Sequence, residues 1–246
     1  MIHQRYTQIY EHEEKHWWYA GRRLLLTLLI HRLNLKQSSQ ILDIGCGTGL
    51  NLSLLSRFGE VYGVDKAPEA IRYCHTRGFF QVIKIDGENL PYKNRSFDLI
   101  TCLDVLEHIK NESIILRNIR QILKPGGYLI IFVPAFTLLW SDLDVRSQHY
   151  RRYSLNSLHK LLKENGFLIK QVSYFNYLYF LPILFVRMWQ KTLFGKKTPW
   201  GIDPHIKNHL VNQFLKTFFY LDVWSAPILH PPFGVSLYTI ATLKKN

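Results

Sequence analysis

Three observations predict an α/β fold with a largely parallel sheet. The first is Ile41-Leu42-Asp43-Ile44-Gly45-Cys46-Gly47-Thr48-Gly49, an apolar strand pattern that runs into three glycines at alternate positions. The second is a succession of further short apolar runs, several of them closed by an acid, as expected of buried strands whose ends meet a ligand. The third is size: 246 residues suffice for one α/β domain with a substantial core and room for insertions.

In chain order, residues 1–39 are polar and aromatic at their start and lack the apolar core of a signal peptide, so none is expected. Leu24-Leu25-Leu26-Thr27-Leu28-Leu29-Ile30 continues a helix and is too short to cross a bilayer. The first strand then meets the glycines. Glycine is required where a chain leaves a strand with unusual dihedrals, or where bare backbone lies against a ligand. The spacing is G-x-G-x-G, without the later third glycine of a dinucleotide fingerprint. That points to a nucleoside cofactor other than a nicotinamide.

Val61-Tyr62-Gly63-Val64-Asp65 reads as the second strand, closed by a carboxylate placed to accept both hydroxyls of a ribose. Val82-Ile83-Lys84-Ile85-Asp86-Gly87-Glu88 gives a third, with Asp86 beside the adenine. Ser96–Asp104 gives a fourth and Gly126–Val133 a fifth. Beyond Gly166, Phe167–Tyr174 reads as a sixth, to pair with a seventh from about Val235 to Leu243.

The ordered set of the glycine loop, Asp65, Asp86, Phe97-Asp98, Asp104-Val105-Leu106-Glu107-His108 and Leu123-Lys124-Pro125-Gly126-Gly127 closely resembles the class I S-adenosylmethionine-dependent methyltransferases, densely over residues 40–134. Within that class the chain is similar to the ubiquinone-pathway O-methyltransferases and a bacterial group beside them. The resemblance implies a seven-stranded Rossmann-like sheet of order 3-2-1-4-5-7-6, strand 7 antiparallel, with helices on both faces. It also implies S-adenosyl-L-methionine as cofactor, held by Arg23, Asp43, Gly45, Cys46, Gly47, Asp65, Lys66, Asp86, Gly87 and Leu103. A leading helix would cover the cofactor, Trp18 and Tyr19 forming part of the lid and one of the paired arginines, taken as Arg23, gripping the methionine carboxylate.

The whole chain, 1–246, is expected to be a single methyltransferase domain. Lid helices would occupy 1–39, the cofactor core 40–134, a substrate-side segment with the sixth strand 135–174, an apolar aromatic insertion 175–234 and the final strand 235–246.

Two segments are candidates for chemistry. Asp104 to His108 begins a connection at the carboxyl end of the sheet, where such folds bind ligands. His108 there is a candidate general base. Asp104, Glu107 and His108 could instead hold a hard cation, or simply be acids at a helix start with the histidine packed locally. No metal is assigned. The second segment, His149-x-Arg151-Arg152-Tyr153, precedes a helix capped by Ser154. An H-x-R-R-Y element recurs at this place in similar bacterial methyltransferases. Arg151 or Arg152 would pair an anionic substrate group and His149 or Tyr153 would handle a proton, or the cluster is a solvated basic turn.

The insertion is rich in apolar and aromatic residues. Tyr177 to Val186 precedes Arg187, Lys191, Lys196 and Lys197, the pattern of an interfacial helix settling into headgroups. A cap over the site or a dimer contact would bury the same surface. With 31 basic against 18 acidic residues the formal charge is +13, which admits an anionic membrane, nucleic acid or a phosphorylated substrate as partner. Cys46, Cys74 and Cys102 have no metal-ligand spacing and read as small buried residues of a reducing cytosol. No Asn-Pro-Pro-Tyr or Asp-Pro-Pro-Tyr follows the fourth strand, which argues against methylation of nucleic-acid bases. The expected enzyme is thus a cytoplasmic O-methyltransferase of a small apolar or lipid-like acceptor, peripheral on the inner face of the membrane. The alternative is a basic RNA-binding or non-catalytic cofactor-binding protein.

Overall fold

The computed structural model describes residues 2–85, 89–194 and 208–244. Seven strands form one sheet of order β3-β2-β1-β4-β5-β7-β6. They are β1 (Gln40–Ile44), β2 (Glu60–Asp65), β3 (Val82–Lys84), β4 (Phe97–Leu103), β5 (Leu123–Pro134), β6 (Phe167–Phe175) and β7 (Ser236–Leu243). β7 runs antiparallel to both neighbours and every other pairing is parallel. The carboxyl ends of β1 to β6 therefore share one edge. β1, β4 and the second half of β5 are buried nearly throughout, because helices cover both faces and the strands need no polar alternation.

On one face, α5 (Glu112–Ile122) and α7 (Leu155–Glu164) pack Ile115, Leu116, Ile119, Leu158 and Leu162 against the sheet. α7 starts at Ser154, whose hydroxyl accepts the Ser157 N–H, as expected of an N-cap. On the other face lie α2 (Trp17–Ile30) and α9 (His209–Leu229), where Leu25, Leu29, Phe219, Val223 and Ala226 join Ile130, Phe132, Tyr238 and Ile240. Gly21 permits this contact: a Cβ there would lie 2.2 Å from the Phe219 ring. Shorter helices, α3 (Leu50–Leu55) and α4 (Pro68–Thr76), flank β2 and β3. α1 (Ile2–His12) lies on α4 through the stacked rings of Tyr10 and Tyr73, 4.4 Å apart.

The insertion holds α8 (Phe180–Phe194) and α9, and its helical structure begins later than the apolar run at Tyr177. Arg187, expected to meet headgroups, is 7% exposed and donates through Nη1 to the side-chain Oε1 of Gln190. Lys196 and Lys197 lie outside the described residues, as do Asp86 and Gly87.

Candidate active site

The glycine loop leaves β1 and turns through positive φ at Gly45, Gly47 and Gly49. At Gly47, with φ +55°, a Cβ would meet nothing within 4 Å. Its backbone thus borders open space at the sheet edge, the condition for close approach of a ligand. Asp65 ends β2 with its carboxylate turned into this loop, accepting the Gly47 N–H at 3.0 Å, the Ala67 N–H at 2.9 Å and the Tyr6 hydroxyl of α1 at 3.3 Å. Lys66 beside it is exposed, whereas Cys46 is buried with its sulfur 3.8 Å from that of Cys74.

Asp43 is 1% exposed. Its Oδ1 accepts the Thr101 hydroxyl at 2.6 Å, while Oδ2 has no partner among the described residues. Burial pushes its carboxyl up to about 7. Glu13, in the elbow between α1 and α2, accepts the Thr48 hydroxyl and pairs with Arg77 at 3.0 Å, which pins the elbow to the glycine loop. Burial raises its carboxyl as well.

The two arginines of α2 part company. Arg23 donates to the backbone carbonyls of Glu13 and Glu14, at 2.8 and 2.9 Å, and so braces the elbow. Arg22 instead pairs with Asp104, the residue after β4, whose φ is +57°. Its guanidinium lies among the rings of Trp18, Phe132 and Phe175, 5.1 to 5.3 Å from each centroid, while its buried Nη1 has no partner among the described residues. The backbone carbonyls of the elbow thus take both ends of the Arg23 fork.

After Asp104 comes a single 3-10 turn, Leu106–His108. Glu107 is not a surface acid at a helix start, for it is 1% exposed and neither carboxylate oxygen has a hydrogen-bond partner among the described residues. Burial, with the nearby Asp104 charge, drives its carboxyl well above the ordinary range. The chain from β5 returns here, because the Tyr150 N–H donates to the Glu107 carbonyl at 2.7 Å. His149 is thereby set against His108, ring centroids 4.6 Å apart. Ligand atoms of Glu107, His108 and His149 all lie within 4.8 Å of one another.

His149 is held from behind by Asp144 of α6 (Asp142–Arg146), whose Oδ1 is 2.9 Å from Nδ1. Burial alone would raise the Asp144 carboxyl. His149 and Arg152 outweigh it and hold the group below the usual carboxylate range. An ionised carboxylate only accepts, so Nδ1 carries a hydrogen. Arg152 grips the same carboxylate through Nε at 2.8 Å and Nη2 at 3.0 Å. Arg151 pairs with Glu112, which also accepts the Tyr153 hydroxyl at 3.1 Å. The arginines expected to meet an anionic substrate are therefore engaged within the protein.

The Arg152 guanidinium that clasps Asp144 also donates to the Ala135 carbonyl at 3.1 Å, and the chain just beyond Ala135 is aromatic. Phe136, two residues past β5, stacks on Tyr174 at 4.9 Å and meets Phe180 of α8 at 5.4 Å; Phe180 in turn meets Phe233 at 5.1 Å. Sequence reasoning missed Asp144 and the burial of Glu107. The acid five residues before His149 was the available signal.

A parallel sheet with a glycine loop, a second-strand carboxylate and an oriented histidine on one edge defines a class of transferases that use a nucleoside cofactor. A family model described as a methyltransferase domain matches residues 17–172, and the chain belongs to that family. Over 100 residues it is 34% identical to a ubiquinone biosynthesis O-methyltransferase of Xanthomonas oryzae pv. oryzae (strain PXO99A), covering 38% of this chain and 42% of that one. A protein of the same description from Xanthomonas axonopodis pv. citri (strain 306) is 33% identical over a stretch of the same coverage. The match thus spans less than half the length of these curated relatives. Among solved structures, the complex between the Haloferax volcanii Trm112 methyltransferase activator and a putative methyltransferase aligns at TM-score 0.63 and 15% identity, covering 100% of this chain and 95% of that one. Haemonchus contortus phosphoethanolamine N-methyltransferase 2, in complex with S-adenosyl-L-methionine, aligns at TM-score 0.58 and 20% identity over 89% and 52%. At such identities the likeness is one of fold. No helix among the described residues is long and apolar enough to cross a membrane.

Proposed function

We propose that this methyltransferase acts on a hydroxyl of a small apolar or lipid-like acceptor, with His149 as general base. The observation that carries the reading is the Asp144–His149 pair, 2.9 Å apart, which orients the imidazole within a cluster with His108 and Glu107. Curated relatives described as ubiquinone biosynthesis O-methyltransferases support an oxygen acceptor. As an enzyme of apolar acceptors, it is read as cytoplasmic and peripheral on a membrane's inner face.

S-adenosylmethionine fits the edge. The space beside Gly47, the orphaned Arg22 Nη1 and the unpartnered Asp43 Oδ2 are polar features that lack partners without it. Asp65 would take the ribose hydroxyls, with Gly45, Cys46, Gly47 and Lys66 along the nucleoside and Asp86 and Gly87 toward the base. Arg22, in place of Arg23, would take the methionine carboxylate, and Asp43 the ammonium, with Leu103 beneath. When bound, the cofactor supplies a methyl group already activated by a sulfonium, so alignment and proton removal remain for the protein. The aromatic wall excludes water and seats the acceptor. His149 Nε2 takes the hydroxyl proton, and the ionised Asp144 stabilises the resulting imidazolium.

A second reading is favoured by the unpartnered oxygens of Glu107: a divalent cation held by Glu107, His108 and His149, with Asp144 as the carboxylate that orients the ligating histidine. The cation would draw the hydroxyl proton off by coordination. A screen of metabolite and lipid extracts with methyl-labelled cofactor tests the acceptor class. Repeating it after exhaustive chelation separates the readings, since only the second loses activity that added metal restores. Label appearing solely on amines or nucleic acid would overturn both.

A further inference from the structure

The least explained surface of the protein is the outside of its insertion. α9 is 21 residues, about 31 Å long at 1.5 Å per residue. Phe219, Val223 and Ala226 face the sheet and α2. A globular helix with that inner stripe should be polar on the other side. Here Leu210, Phe214, Leu221 and Ile228 instead form an outer stripe at helical spacing, each more than half exposed. Phe185 and Trp189, one turn apart on α8, repeat the pattern at 72% and 56% exposure.

Charge selects the partner. α8 and α9 together contain a single acid, Asp222, which is fully buried and accepts the Asn176 and Leu178 N–H groups at the end of β6. Their outer faces hence carry no carboxylate. The sequence between them, residues 195–207, has Lys196, Lys197 and Lys207 against Asp203 alone, in a chain of formal charge +13. A second copy would bring together two chains of formal charge +13, whereas an anionic bilayer complements both the charge and the apolar stripe.

We propose that the outer faces of α8 and α9 lie in the interfacial plane of an anionic bilayer. The position also serves the active site. α8 begins just past the carboxyl end of β6, and α9 returns the chain to the start of β7 at the same edge. An acceptor dissolved in the bilayer would meet the Phe136, Phe180 and Phe233 wall without crossing water. This extension rests on the apolar-acceptor reading, but the contact itself is measurable without any methyl transfer.

Flotation of the purified full chain with vesicles of phosphatidylcholine alone, or mixed equally with phosphatidylglycerol, gives the test. Binding is expected to the mixed vesicles, at least tenfold weaker to neutral ones, and to fall with salt. A variant combining Phe214→Ser, Leu221→Ser and Ile228→Ser should lose vesicle binding at least tenfold while its calorimetric affinity for S-adenosylmethionine stays unchanged. Wild-type protein that ignores anionic vesicles at low salt overturns the proposal. So does equal binding by the variant, or a dimer in sedimentation that the same substitutions dissolve. If vesicles bind but all methylated products are water-soluble, the acceptor reading falls and the surface assignment stands.

Discussion

Oδ1 of Asp144 lies 2.9 Å from Nδ1 of His149, and the same carboxylate is clasped by Arg152. The acid thus fixes the tautomer and the orientation of the imidazole at once. His149→Gln should lower kcat by about 10²- to 10⁴-fold, the usual worth of a positioned base, with cofactor affinity retained. A variant that keeps wild-type kcat removes His149 from proton transfer.

The carboxylate of Asp65 closes the glycine loop through Gly47 and meets Tyr6 from α1. Its replacement by alanine removes the partner expected for the ribose hydroxyls. A hydrogen bond to a charged group is worth about 1.5–3 kcal/mol, so calorimetry of Asp65→Ala should show cofactor binding weakened by about tenfold or more. Tyr6→Phe leaves the carboxylate in place and should have a much smaller effect. Unchanged affinity in Asp65→Ala would place the ribose elsewhere.

Arg22 and Arg23 make a paired experiment. Arg22→Ala takes away the buried cation beside Asp104, and the KM for cofactor should rise by about tenfold or more on the same scale. Arg23→Ala unties the elbow carbonyls and should show chiefly as a lower Tm. The reverse pattern would restore Arg23 to the carboxylate.

Asp43 offers a test by pH. Its carboxyl, raised from 3.8 to about 7 by burial, contributes stability that is present below pH 4 and lost as pH rises toward and through about 7. A bound ammonium favours the ionised form, so cofactor binding near pH 7 should release a proton. Affinity should then climb by up to about tenfold per pH unit below pH 7 and level off above it. Calorimetry in buffers of different ionisation enthalpy reads the proton directly. Zero release at pH 7 would separate Asp43 from the ammonium.

What the sequence alone determined is what local chemistry controls. An apolar run ending in glycines at alternate positions must leave its strand by an unusual turn, and β1, the loop and Asp65 stand where that pattern put them. The order of the strands was legible by resemblance and is the order observed. Tertiary structure decided the rest. Arg22 and Arg23 are neighbours on one helix, about 100° apart around its axis, and only the seating of α2 against Phe132, Phe175 and Phe219 chose which would reach Asp104. The buried Glu107 and the second histidine of its cluster lie far apart in sequence, joined by one backbone bond from Tyr150. The insertion's apolar residues were evident from composition, but which of them faced outward depended on where the sheet and α2 took up one side of α9. Short-range steric rules act within a few residues, whereas the side a helix buries is fixed by the surface it lands on.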